Sequence, residues 1–134
     1  MLGFHSHQRF FVATRPVDMR KGIDGLCGVV RQVMSGDPMS GSVFIFFNKD
    51  RDKVKCLVWD GDGYVLYHKR LERGAFEAVS SANDASAVSI RYDHLVMLIS
   101  GISLRHVVQR KRFSVLSTIV DNRGASCEEI SGLK

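Results

Sequence analysis

Apolar residues are spaced along this chain in two different rhythms. Between 43 and 71 they form short dense runs: Val43-Phe-Ile-Phe-Phe47, Val54-Lys-Cys-Leu-Val-Trp59 and Tyr64-Val-Leu-Tyr67. These runs are rich in β-branched and aromatic side chains and are parted by Asn48–Lys53 and by Asp60-Gly-Asp-Gly63. Such runs between charged or Asp/Gly turns predict an antiparallel meander. A type I′ or II′ turn over Asp60–Gly63 sets Trp59 opposite Tyr64 and Leu57 opposite Leu66. Aromatic cross-strand pairs of that kind contribute about 0.2–1 kcal/mol each. Short runs at Arg9–Ala13 and Ala87–Ile90 predict further strands, with an added edge strand from Phe76 to Val79.

The second rhythm is helical. Met19, Ile23, Leu26, Cys27, Val30, Val33 and Met34 recur at spacings that trace one stripe of a helix, with Asp18 placed as its N-cap. Gly22, Gly25 and Gly28 run from the edge of that stripe round its back. Each costs about 1 kcal/mol against alanine inside a helix. Close approach of a backbone explains them, whether from the sheet, another chain or a phosphate backbone; a loosely helical segment that the core tolerates is the plainer account. Leu95, Val96, Leu98, Ile99 and Ile102 trace a second helix from Tyr92, with Gly101 placed to end it. The expectation is an α+β fold: an antiparallel meander of three to five strands with two helices packed on one face. Residues 1–8 are expected to be a flexible N-terminus, 9–104 a single domain, and 105–134 a basic segment followed by a disordered tail. Within that tail Phe113 to Val120 is long and apolar enough for a strand.

A length of 134 residues with 45% hydrophobic residues suits one domain with a core of its own. No apolar run approaches the length of a membrane span, and Met1 to Arg9 lacks a hydrophobic signal core. Cys27, Cys56 and Cys127 are odd in number and scattered, which suits reduced thiols and a cytoplasmic location.

Charge sharpens the picture. The formal net charge is +5. Lys49, Arg51, Lys53 and Lys55 form one basic cluster, broken by Asp50 and Asp52; Lys69, Arg70 and Arg73 form a second. Arg105, Arg110, Lys111 and Arg112 form a third with no acid between them. Arg20, Lys21, Lys69, Arg70, Arg73, Arg110, Lys111 and Arg112 are the candidates for contact with nucleic-acid phosphates. A plain solvated surface is the competing reading for each, and Glu72 can pair with one of the arginines beside it.

Catalysis finds less support. Asp60, Asp62 and Glu72 invite a metal-dependent nuclease, because paired acids hold Mg²⁺ at a phosphate. Yet Asp-Gly-Asp-Gly is also what a tight hairpin turn requires. His68 stands between Tyr67 and Lys69 as a solvated strand residue more readily than as a base. The sequence contains no phosphate-binding glycine loop followed by Lys-Ser/Thr and no Cys/His quartet for zinc. The expectation is therefore no catalytic residue, no metal ligand and no cofactor.

Four blocks of the sequence carry a resemblance. They are Pro16-Val-Asp-Met-Arg-Lys-Gly-Ile-Asp-Gly-Leu26; Asp37-Pro38 with Ser40-Gly41 leading into Val43-Phe-Ile-Phe46; Lys55 and Leu57 with Trp59-Asp-Gly61 and Gly63-Tyr64; and Lys69-Arg-Leu-Glu72 with Gly74 and Phe76. Together with Leu98-Ile-Ser-Gly-Ile102, they resemble the TnpB accessory proteins of insertion sequences of the IS sixty-six group, the Orf-two-like family. The resemblance runs from about Arg9 to Leu104. It implies a non-catalytic role in DNA transposition beside a separate transposase that holds the acidic catalytic residues. The partners it implies are that transposase, the element's DNA, or both; contact with the transposase alone is the alternative. Oligomeric state stays open.

Overall fold

The computed structural model describes residues 4–101. Five strands, β1 (Phe10–Ala13), β2 (Val43–Phe47), β3 (Lys53–Trp59), β4 (Tyr64–Arg70) and β5 (Ala87–Ile90), form one sheet in the order β4-β3-β2-β1-β5. Two helices, α1 (Ile23–Gln32) and α2 (Tyr92–Ile99), complete the α+β fold. The meander β2-β3-β4 is antiparallel as the turns predict. In the hairpin, Trp59 lies opposite Tyr64 and Leu57 opposite Leu66. The Asp60 N–H closes the turn on the Gly63 carbonyl at 2.8 Å. Gly61 takes the positive φ of +87° that the first central position of a type II′ turn demands. The Trp59 and Tyr64 rings meet edge to face, centroids 4.9 Å apart.

The meander is not the whole sheet. β1 runs parallel to β2 and antiparallel to β5, which makes the sheet mixed. Parallel neighbours need a crossover, and α1 supplies it, so β1-α1-β2 is a βαβ unit.

The helices also depart from expectation. They lie on opposite faces rather than on one. Leu26, Cys27 and Val30 of α1, with Met34 just beyond its end, pack with Phe44, Phe46 and Leu57. Leu95, Leu98 and Ile99 of α2 pack with Phe10, Val12, Val43, Ile45, Phe47, Val54 and Cys56. The cause lies in β2, where all five residues are apolar and buried. A strand without a polar position has two faces to remove from water, and a helix on one side leaves the other uncovered.

Two boundaries move as well. Residues 1–8, read as a flexible terminus, include Phe4, which is 8% exposed and meets the rings of Phe10 and Tyr67. The stretch from Phe76 to Val79 forms no strand. It folds back over the β2–β3 turn instead: the Phe76 N–H donates to the Arg51 carbonyl at 2.7 Å, and Arg51 Nη2 donates to the Glu77 carbonyl at 2.9 Å. Phe113 to Val120, the rest of 105–134 and Cys127 lie outside the described residues. Among the described residues no helix is long and apolar enough to cross a membrane. Cys27 and Cys56 are free thiols in the core, and burial pushes the Cys56 thiol up to about 12.

Candidate nucleic-acid interface

The helix stripe begins at Met19 in sequence, but α1 begins at Ile23, with Gly22 as its N-cap. Lys55 accounts for the delay. Among the described residues it is the buried charged one, 7% exposed, and its Nζ donates to the Met19 and Lys21 carbonyls, both at 2.9 Å. In a helix begun at Met19 those carbonyls would accept the N–H groups of Ile23 and Gly25. Held by an ammonium group, they stay out of the helical ladder. Asp18 therefore does not cap α1. Its carboxylate accepts the Arg20 N–H at 2.9 Å and the Arg20 guanidinium at 2.8 Å. Those hydrogen bonds from Arg20 draw its pKa down to about 2.

Pinned in this way, the Asp18–Gly22 segment sits against the β3–β4 ladder. Pairing of Lys53 with Arg70 and of Lys55 with His68 aligns four basic side chains on the α1 face of those strands. Counting back along the hairpin from Trp59–Tyr64 reaches both pairs, so the turn already contained this signal. In the sequence Lys53 stands in a cluster broken by Asp50 and Asp52, and His68 reads as a solvated strand residue; only the pairing across the strands brings the two together. His68 is exposed, and its pKa is held below the ordinary histidine value by partial desolvation and then by Lys55, Lys53 and Arg70.

The described candidates fall into two groups. Arg20, Lys21, Arg70 and Arg73 are exposed around this end of the sheet. Arg20 pairs with Asp18, and Arg70 with Glu72 at 2.9 Å, both at the surface. Exposed pairs of this kind contribute about 0–1 kcal/mol, so a phosphate can replace the carboxylate at little cost. Among the described residues Lys21 and Arg73 make no side-chain hydrogen bond or ion pair. Lys69 belongs elsewhere. It points to the α2 face, and its Nζ donates to the Ile99 carbonyl at the end of α2 at 3.1 Å. Arg51 is likewise taken up by the fold, with its guanidinium over the Phe47 ring and its donors on the Phe76 and Glu77 carbonyls. Arg110, Lys111 and Arg112 lie outside the described residues.

The acids of the nuclease reading are not brought together. Asp60 and Asp62 occupy the hairpin turn before β4, whereas Glu72 follows the other end of that strand and holds Arg70. Seven residues of strand separate them, about 20 Å at 3.3 Å per residue. The two ends of these strands differ in charge: Asp60 and Asp62 mark one, and at the other Lys49, Arg51, Lys53, Arg70 and Arg73 outnumber Asp50, Asp52 and Glu72.

Comparison with known proteins places this architecture in a family context. The family model described as IS66 Orf2 like protein matches residues 8–109. Two proteins of Sinorhizobium fredii (strain NBRC 101917 / NGR234) are similar, and both are described as uncharacterized. The protein y4jC is 42% identical over 76 residues, which is 57% of this chain and 65% of that relative. The protein y4hO is 35% identical over 106 residues, 79% of this chain and 90% of the relative. No solved structure matches.

Proposed function

This chain belongs to the IS66 Orf2-like family, and from that premise we propose that it is a non-catalytic accessory protein of transposition that binds the phosphate backbone of the element's DNA. The observation that carries the DNA reading is the gathering of Lys21, Lys53, His68, Arg70 and Arg73 at one end of the sheet, where the cations exceed the acids Asp50, Asp52 and Glu72. Backbone binding needs such a patch and little else: phosphate contacts supply affinity and register without reading bases. The transposase of the same element is the second partner in this proposal, and the cytoplasm is the compartment in which both would be met.

The test is binding of purified protein to duplex DNA from the element's ends at several salt concentrations. Log affinity should fall linearly with log salt, at about 0.9 per phosphate contact. Changing Arg70 and Arg73 together to alanine should make the slope shallower by about one to two. Absence of binding at low salt, together with capture of the transposase, would replace this reading with that of a protein-interaction module.

A further inference from the structure

The basic row on β3 and β4 is an unfavourable arrangement in the free protein. Like charges directly opposite across strands repel: Lys53 faces Arg70, and Lys55 faces His68, which would add a second such pair if protonated. The fold relieves them unevenly. Lys53 Nζ lies 3.5 Å from Asp52, and Arg70 lies 2.9 Å from Glu72. Lys55 donates to two neutral carbonyls, and among the described residues it forms no ion pair with a carboxylate. His68, between these cations, has one means of relief that the others lack: it can stay neutral. Depression of its pKa by desolvation, Lys55, Lys53 and Arg70 expresses that relief.

An anion set against this row reverses the balance. It attracts all four groups at once, and it favours the protonated imidazole, which adds a donor and a positive charge. Resting on the DNA-binding reading above, we propose that the Lys53–His68–Arg70 row seats a phosphodiester of the bound nucleic acid and that His68 takes up a proton from solvent as it does so. The groups facing His68 are Lys53 and Lys55 of β3 and Arg70 of β4. The segment pinned to Lys55 adds Lys21 as a further cation, together with Asp18, whose carboxylate is already held by Arg20. Binding is then linked to pH, tighter in mild acid and looser above neutrality.

The experiment compares the full chain with His68→Gln, a substitution at an exposed strand position. Affinity for the element-end duplex is measured against salt at pH 5.5, 6.5 and 7.5. Ring signals of His68 are followed by NMR with and without the duplex. In the unaltered protein, the dependence of log affinity on log salt should steepen by about 0.9 as pH falls, the increment of one added phosphate contact. The His68 titration should move upward when duplex is bound. In His68→Gln the slope should stay at its pH 7.5 value throughout, even though His5, His7, His94 and His106 remain.

Duplex binding whose pH dependence survives in His68→Gln would overturn the inference and leave the DNA reading standing. So would a His68 titration that the duplex does not move. No duplex binding at any pH would remove the DNA reading and this inference with it. Inorganic phosphate at matched ionic strength is the further arm, and a response equal to that of the duplex would overturn the assignment to a phosphodiester.

Discussion

The two faces of the sheet are closed in different ways. On the α2 face, Phe10, Val12, Val43, Ile45, Phe47, Val54 and Cys56 lie under Leu95, Leu98, Ile99, Phe4 and Phe76. On the α1 face the apolar cluster is smaller, and at Lys55 a buried ammonium stands where the strand pattern calls for a hydrophobe. The basic row continues outward from that position. One face is a dry core that holds the sheet together; the other combines support with charged groups that a ligand can reach. Both helices are amphipathic and of similar length, so helix type does not make the difference. It is made by what β3 and β4 present beneath each helix.

The largest expected effects test that contrast directly. Leu95→Ala and Leu26→Ala each remove the same atoms from a fully buried site. Leu-to-Ala changes in cores cost about 2–5 kcal/mol, according to how far the site can collapse. Leu95 should fall near the top of that range and Leu26 near the bottom, as read by chemical denaturation. Equal costs would break the comparison.

Next in size is Lys55→Met. It keeps most of the stem's packing and removes both hydrogen bonds, leaving the Met19 and Lys21 carbonyls to find water. A loss of about 1–3 kcal/mol is expected. Amide exchange should quicken at Lys21–Leu26 before it does in the meander. Unchanged stability and exchange would show that the buried ammonium does not pin the segment.

About 1 kcal/mol is expected from Lys69→Met, which deprives the Ile99 carbonyl of its donor. That variant should lower the melting temperature and leave the salt dependence of DNA binding unchanged. Arg73→Ala should do the reverse. If Lys69→Met flattens the salt slope as much as Arg73→Ala does, the division between structural and ligand-facing cations fails.

Local chemistry made much of this fold readable in advance. The five strands, the hairpin register and the start of α2 at Tyr92 follow from residue spacing and from Asp60–Gly63, because those features are set within a few residues of chain, whereas the run Phe76–Val79 reads as a strand and is none. The side chosen by each helix is a long-range property. Even so, the unbroken run Val43–Phe47 already demanded cover on both faces. The parallel pairing of β1 with β2 was less accessible, since a four-residue strand looks the same in either direction. In the candidate site, Arg20, Lys21, Arg70 and Arg73 were visible as exposed cations. Lys69 was misplaced because its partner, the Ile99 carbonyl, lies thirty residues further along the chain. His68 and Lys53 were reachable only by counting across the hairpin.

The smallest effect concerns the glycines of α1. Their spacing suggests that a backbone passes close by, and among the described residues none does. A Cβ added at Gly28 would meet nothing within 4 Å, and one at Gly25 would meet only the flexible Lys21 stem, starting at 3.1 Å. Gly28→Ala should therefore stabilise the isolated protein by up to about 1 kcal/mol, through helix propensity and a less flexible unfolded chain. A modest rise in melting temperature is the reading to look for. Gly25→Ala serves as the control and should gain less, because Lys21 must shift to admit the methyl group. A fall in the melting temperature of Gly28→Ala would mean that something in this chain does crowd the helix there. A rise in stability joined to weaker DNA or transposase binding would place the approaching backbone on the partner. In that case the exposed side of α1 would join the basic end of the sheet as part of the working surface.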